Sequence, residues 1–293
     1  MFLTRHMGSK ALFYVWLWVL FALPAAAVAQ RLTVTDKMLA ENSPKKEVIW
    51  LEAGQDKFLG LFREATSPKV YGAMLLIPDE YANPDWTFVI SPLRHAMNPL
   101  GWATLSIALP KQTTEKMTQV EAVNASGSAS QEKQQPGNAI NLGEQEAPIF
   151  ARINAAVAWL KKHKFKDVVI LGHGTGAMWA AAYFLKANPQ PPVRGLILLS
   201  LDFPHNDEAS VALNQVIPTI KQPVLDIYGT DDMSRMRQAV QVRMLQSRRI
   251  NAKYYWARVI EGADHLYIHT LPSVLKTIRA WMVRHEKPLG LMN

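Results

Sequence analysis

The segment that most constrains the fold of this chain is DVVILGHGTGAMWAAAYFLKA, which runs from Asp167 to Ala187. It starts as an apolar run of strand length, passes through a turn with three glycines, and continues as a helical pattern. Its helix is rich in alanine, and small side chains let a helix pack closely on a sheet. The segment therefore predicts a buried strand joined to a helix by a tight, glycine-rich turn.

Apolar runs and helical patterns alternate along most of the chain. Further strand-like runs lie at residues 47–65, 70–80, 102–110, 193–202, 222–232 and 252–265, and helical patterns at residues 87–101, 149–164, 233–250 and 271–285. Strands that are apolar throughout are buried on both faces, as in parallel sheets covered by helices. We predict one α/β domain over residues 47–286, with a mostly parallel central sheet flanked by helices on both faces.

The N-terminus has the organisation of a secretory signal peptide over residues 1–29. Arg5 and Lys10 supply positive charge, an apolar run of 13 residues follows, and the run ends in small residues with an AVA motif. The apolar run is short for a membrane span, although an uncleaved membrane anchor is the alternative. We expect cleavage after Ala29, export to the periplasm and no stable membrane span in the mature chain.

Three further segments are predicted to lie outside the packed core. Residues 30–46 are expected to form a loose N-terminal leader, and residues 287–293 a C-terminal tail. Between them, residues 111–148 are rich in Gln, Glu, Ser, Asn and Gly, a composition that predicts a disordered insert. The link between Leu201 and Gln222 is too short for a large cap domain.

Composition narrows the chemistry that this chain can perform. The sequence contains no cysteine, which excludes disulfides, thiol catalysis and thiolate metal sites. The net charge of +8 could favour anionic partners such as lipid headgroups or cell-wall polymers, but the positive residues are scattered and we expect no nucleic-acid partner. His163, His173 and His205 are far apart in the sequence, so spacing predicts neither a metal site nor a cofactor.

Chemically useful residues follow three of the predicted strands. The turn around Gly174 follows the run DVVILG, Asp231 and Asp232 follow the run LDIYG, and His265 follows RVIEGAD. Since the carboxyl ends of parallel strands meet at one edge of a sheet, these residues should converge there. We expect Asp232, with Asp231 as the alternative, to orient the His265 imidazole.

The order of these features resembles the α/β-hydrolase fold. That fold uses a G-x-S-x-G turn between a strand and a helix, then an acid, then a histidine. This chain has GHGTG, with Gly174 where the serine stands. Together with DWTFVISPLRHAMNPLGWATLSIALP at residues 85–110, the turn resembles exported bacterial α/β-hydrolase-like proteins of unknown function. The resemblance implies the fold and export, and leaves the activity open.

Gly174 leads to the functional expectation. A non-glycine residue at positive φ in such a turn is strained by about 1–3 kcal/mol, whereas glycine adopts this backbone freely. We therefore expect a non-catalytic protein that binds a small or anionic ligand, or an envelope partner. The predicted ligand-binding groups are Gly174 and the backbone N–H groups of Thr175 and Gly176 at the helix start. His173 is a further candidate for ligand binding, with a structural role as its alternative.

Two alternatives to this binding role stay open. The first is an enzyme that uses Asp232 and His265 as a general-base pair without a serine nucleophile. The second is a structural partner in an envelope complex, with the polar insert as a docking segment. The hydroxyl of Thr175, one residue beyond the apex of the turn, is expected to cap the helix rather than to act as a nucleophile.

Overall fold

A computed structural model describes residues 36–110, 140–203 and 208–285. The predicted signal peptide, residues 111–139 of the predicted insert and the predicted C-terminal tail lie outside the described residues. From Lys46 onward the chain forms one compact unit, which contains every strand described below. Residues 36–45 belong to a second unit, and residues 36–42 are helical although a loose leader is predicted there. This stretch is rich in good helix formers such as lysine, methionine, leucine and glutamate.

The compact unit alternates strands and helices over most of its length. Its strands are β1 (Val48–Ala53), β2 (Asp56–Arg63), β3 (Gly72–Ile77), β4 (Trp102–Ile107), β5 (Val168–His173), β6 (Val193–Leu199), β7 (Val224–Gly229) and β8 (Tyr255–Ile260). Its helices are α1 (Ile90–Met97), α2 (Glu146–Lys162), α3 (Thr175–Ala187), α4 (Glu208–Val216), α5 (Ser234–Arg249) and α6 (Leu271–His285), with a short 3₁₀ turn at Ile217–Thr219.

The eight strands form a single sheet in the order β1-β2-β4-β3-β5-β6-β7-β8. β1 and β2 form an antiparallel hairpin, and β2 pairs antiparallel with β4. All remaining neighbours, from β4 to β8, are parallel. The predicted mostly parallel sheet is therefore confirmed, with an antiparallel hairpin at one edge.

The sheet has an apolar core on each face. Along β3, alternate side chains enter the two cores: Leu75 and Ile77 lie on the face covered by α2 and α3. Met74 and Leu76 lie on the face covered by α1 and α6. Burial on both faces explains why the strands are apolar throughout, and it confirms the prediction of helices on both sides.

Two connections differ in detail from the prediction. Helix α2 begins at Glu146, three residues before the predicted start, and Ile140 is buried in the core. The last part of the predicted polar insert is thus ordered, because Glu146 is favourable in a first helical turn and forms an ion pair with Lys186. The link between β6 and β7 carries the nine-residue α4, and none of the described connections forms a large cap domain.

None of the described helices combines the length and the apolar character needed to cross a membrane.

Candidate functional site

The glycine-rich turn between β5 and α3 has a glycine at positive φ at its apex. Gly174 lies at φ 58° and ψ −124°, immediately before α3. A Cβ atom at Gly172 would lie 2.4 Å from the Gly176 carbonyl oxygen, and one at Gly176 would lie 2.3 Å from the Pro78 carbonyl oxygen. Both flanking glycines are therefore required for close packing of α3 against the sheet.

The carboxylate of Asp79 fills the space beside Gly174. Asp79 follows β3, and β3 pairs with β5 so that Ile77 lies opposite Gly172. The Asp79 Oδ2 atom lies 1.9 Å from the position that a Cβ at residue 174 would occupy. A side chain at residue 174 and Asp79 in its observed position would thus overlap, so the turn accommodates this carboxylate only because residue 174 is glycine.

Thr175 is bonded to the same loop. Its backbone N–H donates to Asp79 Oδ2 at 3.3 Å, and its hydroxyl lies 3.4 Å from Asp79 Oδ1. The hydroxyl also accepts a hydrogen bond from the Glu80 N–H at 2.9 Å. Two predictions are therefore wrong: the Thr175 N–H is not free for an external anion, and its hydroxyl ties the β3 loop to α3 instead of capping the helix.

His265 lies between two carboxylates. Its Nδ1 atom is 3.6 Å from Asp232 Oδ1, and its Nε2 atom is 4.0 Å from Asp79 Oδ2. Both distances exceed hydrogen-bond range, so the contacts are charge attractions. Burial disfavours the imidazolium, but the charges of Asp232 and Asp79 outweigh it, and the pKa of His265 is raised above its ordinary value.

Asp232 is held by a buried polar network. The Ser200 hydroxyl donates to its Oδ2 at 2.5 Å and lies 2.8 Å from the Tyr267 hydroxyl, while the Met233 N–H donates to its Oδ1 at 2.9 Å. Burial alone would raise the pKa of Asp232, but His265 and these donors outweigh burial and lower it. Asp231 is exposed and Asp232 is buried, and Asp232 is the acid beside His265.

Strained backbone surrounds this network. Ser200 has φ 43° and Tyr267 has φ 54°, values that side-chain-bearing residues rarely adopt. Both residues are fully buried. Such strain persists where the surrounding structure fixes it, and it concentrates at functional sites.

His173 lies beneath the site and is almost completely buried. Its Nε2 atom is 2.9 Å from the His265 carbonyl oxygen, which can only accept, so Nε2 carries the proton. Burial and the neighbouring His265 lower the pKa of His173 to about 4, which keeps its ring neutral. Its Nδ1 atom therefore has a lone pair, and it has no hydrogen-bond partner among the described residues. The two rings lie 4.6 Å apart between centroids.

The fold thus brings together Gly174, His265 and Asp232, which the order of strand ends predicts to converge. Sequence reasoning missed Asp79 and did not connect His173 with His265. Asp79 stands in a turn signal, IPDEY, that also fits an ordinary surface loop. Only the strand order, which sets β3 beside β5, brings this turn to Gly174. Gly176 is buried against backbone carbonyls, and ligand binding by its N–H stays a prediction.

Solved structures similar to this chain share its fold at low sequence identity. Est1E from Butyrivibrio proteoclasticus is 16% identical with a TM-score of 0.57, and the match covers 81% of this chain and 98% of the other. A putative dienelactone hydrolase from Klebsiella pneumoniae is 12% identical with a TM-score of 0.56, covering 81% and 97%. XC6422 from Xanthomonas campestris, described as an α/β serine hydrolase without a lid, is 12% identical with a TM-score of 0.54, covering 81% and 94%.

These similarities establish the α/β-hydrolase fold, and the lidless relative agrees with the short connections seen here. No curated protein matches the chain in sequence. Residues 21–258 do match a family described as "Protein of unknown function (DUF3530)", which covers most of the chain. The chain therefore belongs to the DUF3530 family of proteins of unknown function, and its fold is that of the α/β-hydrolases.

Proposed function

We propose that this protein is a non-catalytic member of the α/β-hydrolase fold that binds a ligand or a partner in the cell envelope. The observation that carries the proposal is the Asp79 carboxylate in the space beside Gly174. Serine hydrolases need a hydroxyl at this place and free N–H donors for the oxyanion that forms on the substrate. Here the hydroxyl is absent, and the Thr175 N–H donates to Asp79.

Two hydroxyl groups close to the turn are already engaged. Thr175 Oγ1 is bonded to the loop after β3. Ser200 Oγ is fully buried and donates to Asp232. A nucleophile must be accessible to substrate and paired with a base, and neither hydroxyl meets both requirements. Cysteine, the other common nucleophile, is absent from the chain.

The charge of the site favours a different ligand from the anion that the sequence predicts. An anion at the start of α3 would meet the Asp79 carboxylate, which already accepts from the helix N-terminus. The Asp79 and His265 side chains retain 19% and 22% exposure, so solutes can reach them. A partner with positive charge or hydrogen-bond donors suits a site in which Asp79 and Asp232 flank one histidine.

A second candidate function is favoured by the same three side chains. Asp79 stands where a nucleophile would act, next to a histidine that is itself flanked by Asp232. A carboxylate and an imidazole in this position could together activate a water molecule for hydrolysis without a covalent intermediate. This candidate differs from the first because it requires turnover that depends on Asp79 as well as on His265.

Turnover measurements on matched variants separate the two functions. The wild type, Asp79→Asn, His265→Ala and Asp232→Asn would be assayed on short acyl esters, lactones and phosphoesters, in a metal-free buffer that contains a chelator. The exposed His269→Ala serves as a control for purification and folding. We expect no turnover above background from any of them.

Turnover by the wild type would overturn the non-catalytic proposal if it falls by about 10²–10⁴-fold in Asp79→Asn and His265→Ala but persists in His269→Ala. Such a result would establish the second candidate. Circular dichroism of each variant would verify that a loss of turnover is not a loss of fold.

A further inference from the structure

We propose that Asp79, His173 and His265 form a binding site for one divalent transition-metal ion of the zinc class. One carboxylate oxygen and one ring nitrogen from each histidine all lie within 4.8 Å of one another. The residues come from the ends of β3, β5 and β8, and they are separated by more than ninety positions in the sequence. This separation explains why spacing predicts no metal motif.

His173 supplies the most specific observation. The residue is 1% exposed, its Nε2–H donates to the His265 carbonyl, and its Nδ1 has no hydrogen-bond partner within the part of the chain that the structure describes. A buried polar atom without a partner is costly, typically about 1–3 kcal/mol, and most such atoms in proteins are satisfied. A metal ion bound at Nδ1 would satisfy it. Metal-binding histidines commonly donate their other N–H to a backbone carbonyl, as His173 does.

His265 has the complementary arrangement. Its Nδ1 faces the Asp232 carboxylate at 3.6 Å, which leaves Nε2 directed towards Asp79 Oδ2 at 4.0 Å. A carboxylate behind a metal-binding imidazole fixes its orientation and increases its basicity. Asp232, itself held by Ser200, would be this outer partner and not a ligand.

Ligand type and distance indicate the kind of ion. Two imidazoles and one carboxylate suit zinc and related first-row ions, whereas Mg²⁺ and Ca²⁺ prefer oxygen ligands. Zinc lies about 2.0–2.2 Å from such ligands, and in a tetrahedral site two ligand atoms are about 3.4 Å apart. The three ligand atoms, which lie within 4.8 Å of one another, must therefore approach one another by up to about 1.4 Å when the ion binds. Three protein ligands leave a fourth position for water or another molecule.

The inference rests on the proposed function, because it assigns a ligand class to the same site. The partly exposed Asp79 provides an entrance, and its negative charge attracts a cation to the ring nitrogens of His173 and His265. The Gly174–Asp79 pair then contributes to metal binding, because glycine makes room for a carboxylate ligand where a serine would stand.

The test is a metal titration of the mature chain purified without a polyhistidine tag and treated with a chelator. Zn²⁺ would be titrated by calorimetry, and Co²⁺ would be added as an optical probe of the ligand geometry. We expect one equivalent of Zn²⁺ per chain, a higher Tm on binding, and cobalt absorption bands of a low-coordinate site. Asp79→Asn and His265→Gln should each abolish Zn²⁺ binding at this site, and Asp232→Asn should reduce the affinity for Zn²⁺ by about 10–100-fold.

Matched controls distinguish the site from general histidine binding. His163→Gln and His269→Gln change exposed histidines and should retain the full equivalent. His173→Gln should lose it, and if that buried variant does not fold, Asp79→Asn and His265→Gln decide. The inference would be overturned if the wild type does not bind one equivalent of Zn²⁺, or if Asp79→Asn and His265→Gln still bind it.

Failure of the metal site and failure of the non-catalytic proposal give different results. Metal-free turnover would remove the non-catalytic proposal whether or not zinc binds. Conversely, zinc binding without metal-free turnover would support both proposals, and turnover that appears only after zinc is added would retain the metal site while making the protein an enzyme.

Discussion

At the scale of single residues, Gly174 and Asp79 depend on each other. The backbone at Gly174 has φ 58°, which glycine adopts freely and other residues adopt at a cost of about 1–3 kcal/mol. In addition, a Cβ atom at this position would lie 1.9 Å from Asp79 Oδ2 but 3.4 Å from Asp79 Cβ, which is an ordinary contact. Shortening Asp79 to alanine would therefore remove the overlap and leave the backbone strain.

This dependence predicts a coupling free energy. Gly174→Ala should reduce the free energy of unfolding by more than the strain alone in the wild type, and by about 1–3 kcal/mol in an Asp79→Ala background. The difference between the two costs should be about 0.5–3 kcal/mol, as for other residues in contact. Urea unfolding of the wild type, the two single variants and the double variant measures this coupling free energy. Equal costs of Gly174→Ala in both backgrounds would show that the two residues do not compete for space.

At the scale of elements, buried charges connect β7, α5 and β8. Asp226 on β7 accepts from the Arg243 guanidinium at 2.7 Å and from the Tyr255 hydroxyl at 2.5 Å, and all three side chains are buried. Burial, followed by the charge of Asp226, raises the pKa of Tyr255 well above its ordinary value, although Arg243 opposes the shift. Asp226 also lies on β7, the strand that leads to Asp232, so this network holds the strand that positions the acid of the site.

The raised pKa predicts a loss of stability in alkali. In the unfolded chain Tyr255 releases its proton near pH 10, whereas in the folded chain it keeps it, so the folded state binds more protons above pH 10. This contribution to stability is complete below about pH 10 and falls by up to about 1.4 kcal/mol per pH unit above it. Tyr255→Phe should be less stable at pH 8, because Asp226 loses a donor, but its stability should fall less steeply from pH 10 to pH 11.

Urea unfolding at these pH values would measure both slopes, with the partly exposed Tyr228→Phe as the matched control. The control should follow the wild-type slope. Equal slopes for Tyr255→Phe and the wild type would contradict the assigned shift.

Comparison of particular elements shows how far the sequence determines this structure. The β5–α3 unit is predictable because glycines at residues 172, 174 and 176 permit a turn that few other sequences form. The pairing of His265 with Asp232 follows from strand order, since both residues lie just beyond the carboxyl ends of neighbouring parallel strands. Asp79 is not predictable in this way, because its approach to Gly174 depends on side-chain packing between loops that are far apart in the sequence.

At the scale of the whole molecule, the fold and the export prediction have different support. The eight-stranded sheet and its two cores are described by the structure, whereas the predicted signal peptide lies outside the described residues. The positive N-terminal residues, the short apolar run and the AVA motif predict a mature chain that begins at Gln30. Intact-mass measurement of protein recovered from the periplasm should give this N-terminus, and recovery of the full-length chain in membranes would contradict it.

We infer that serine chemistry is absent from this site because Gly174 stands at the nucleophile position and the Asp79 carboxylate fills the space beside it. A serine-reactive fluorophosphonate tests it most directly, with mass spectrometry to locate any adduct. We predict no adduct on the wild type, and an adduct at residue 174 in the Gly174→Ser/Asp79→Ala variant, where a hydroxyl and the space for it are both restored near His265. An adduct on any serine of the folded wild type would contradict the claim.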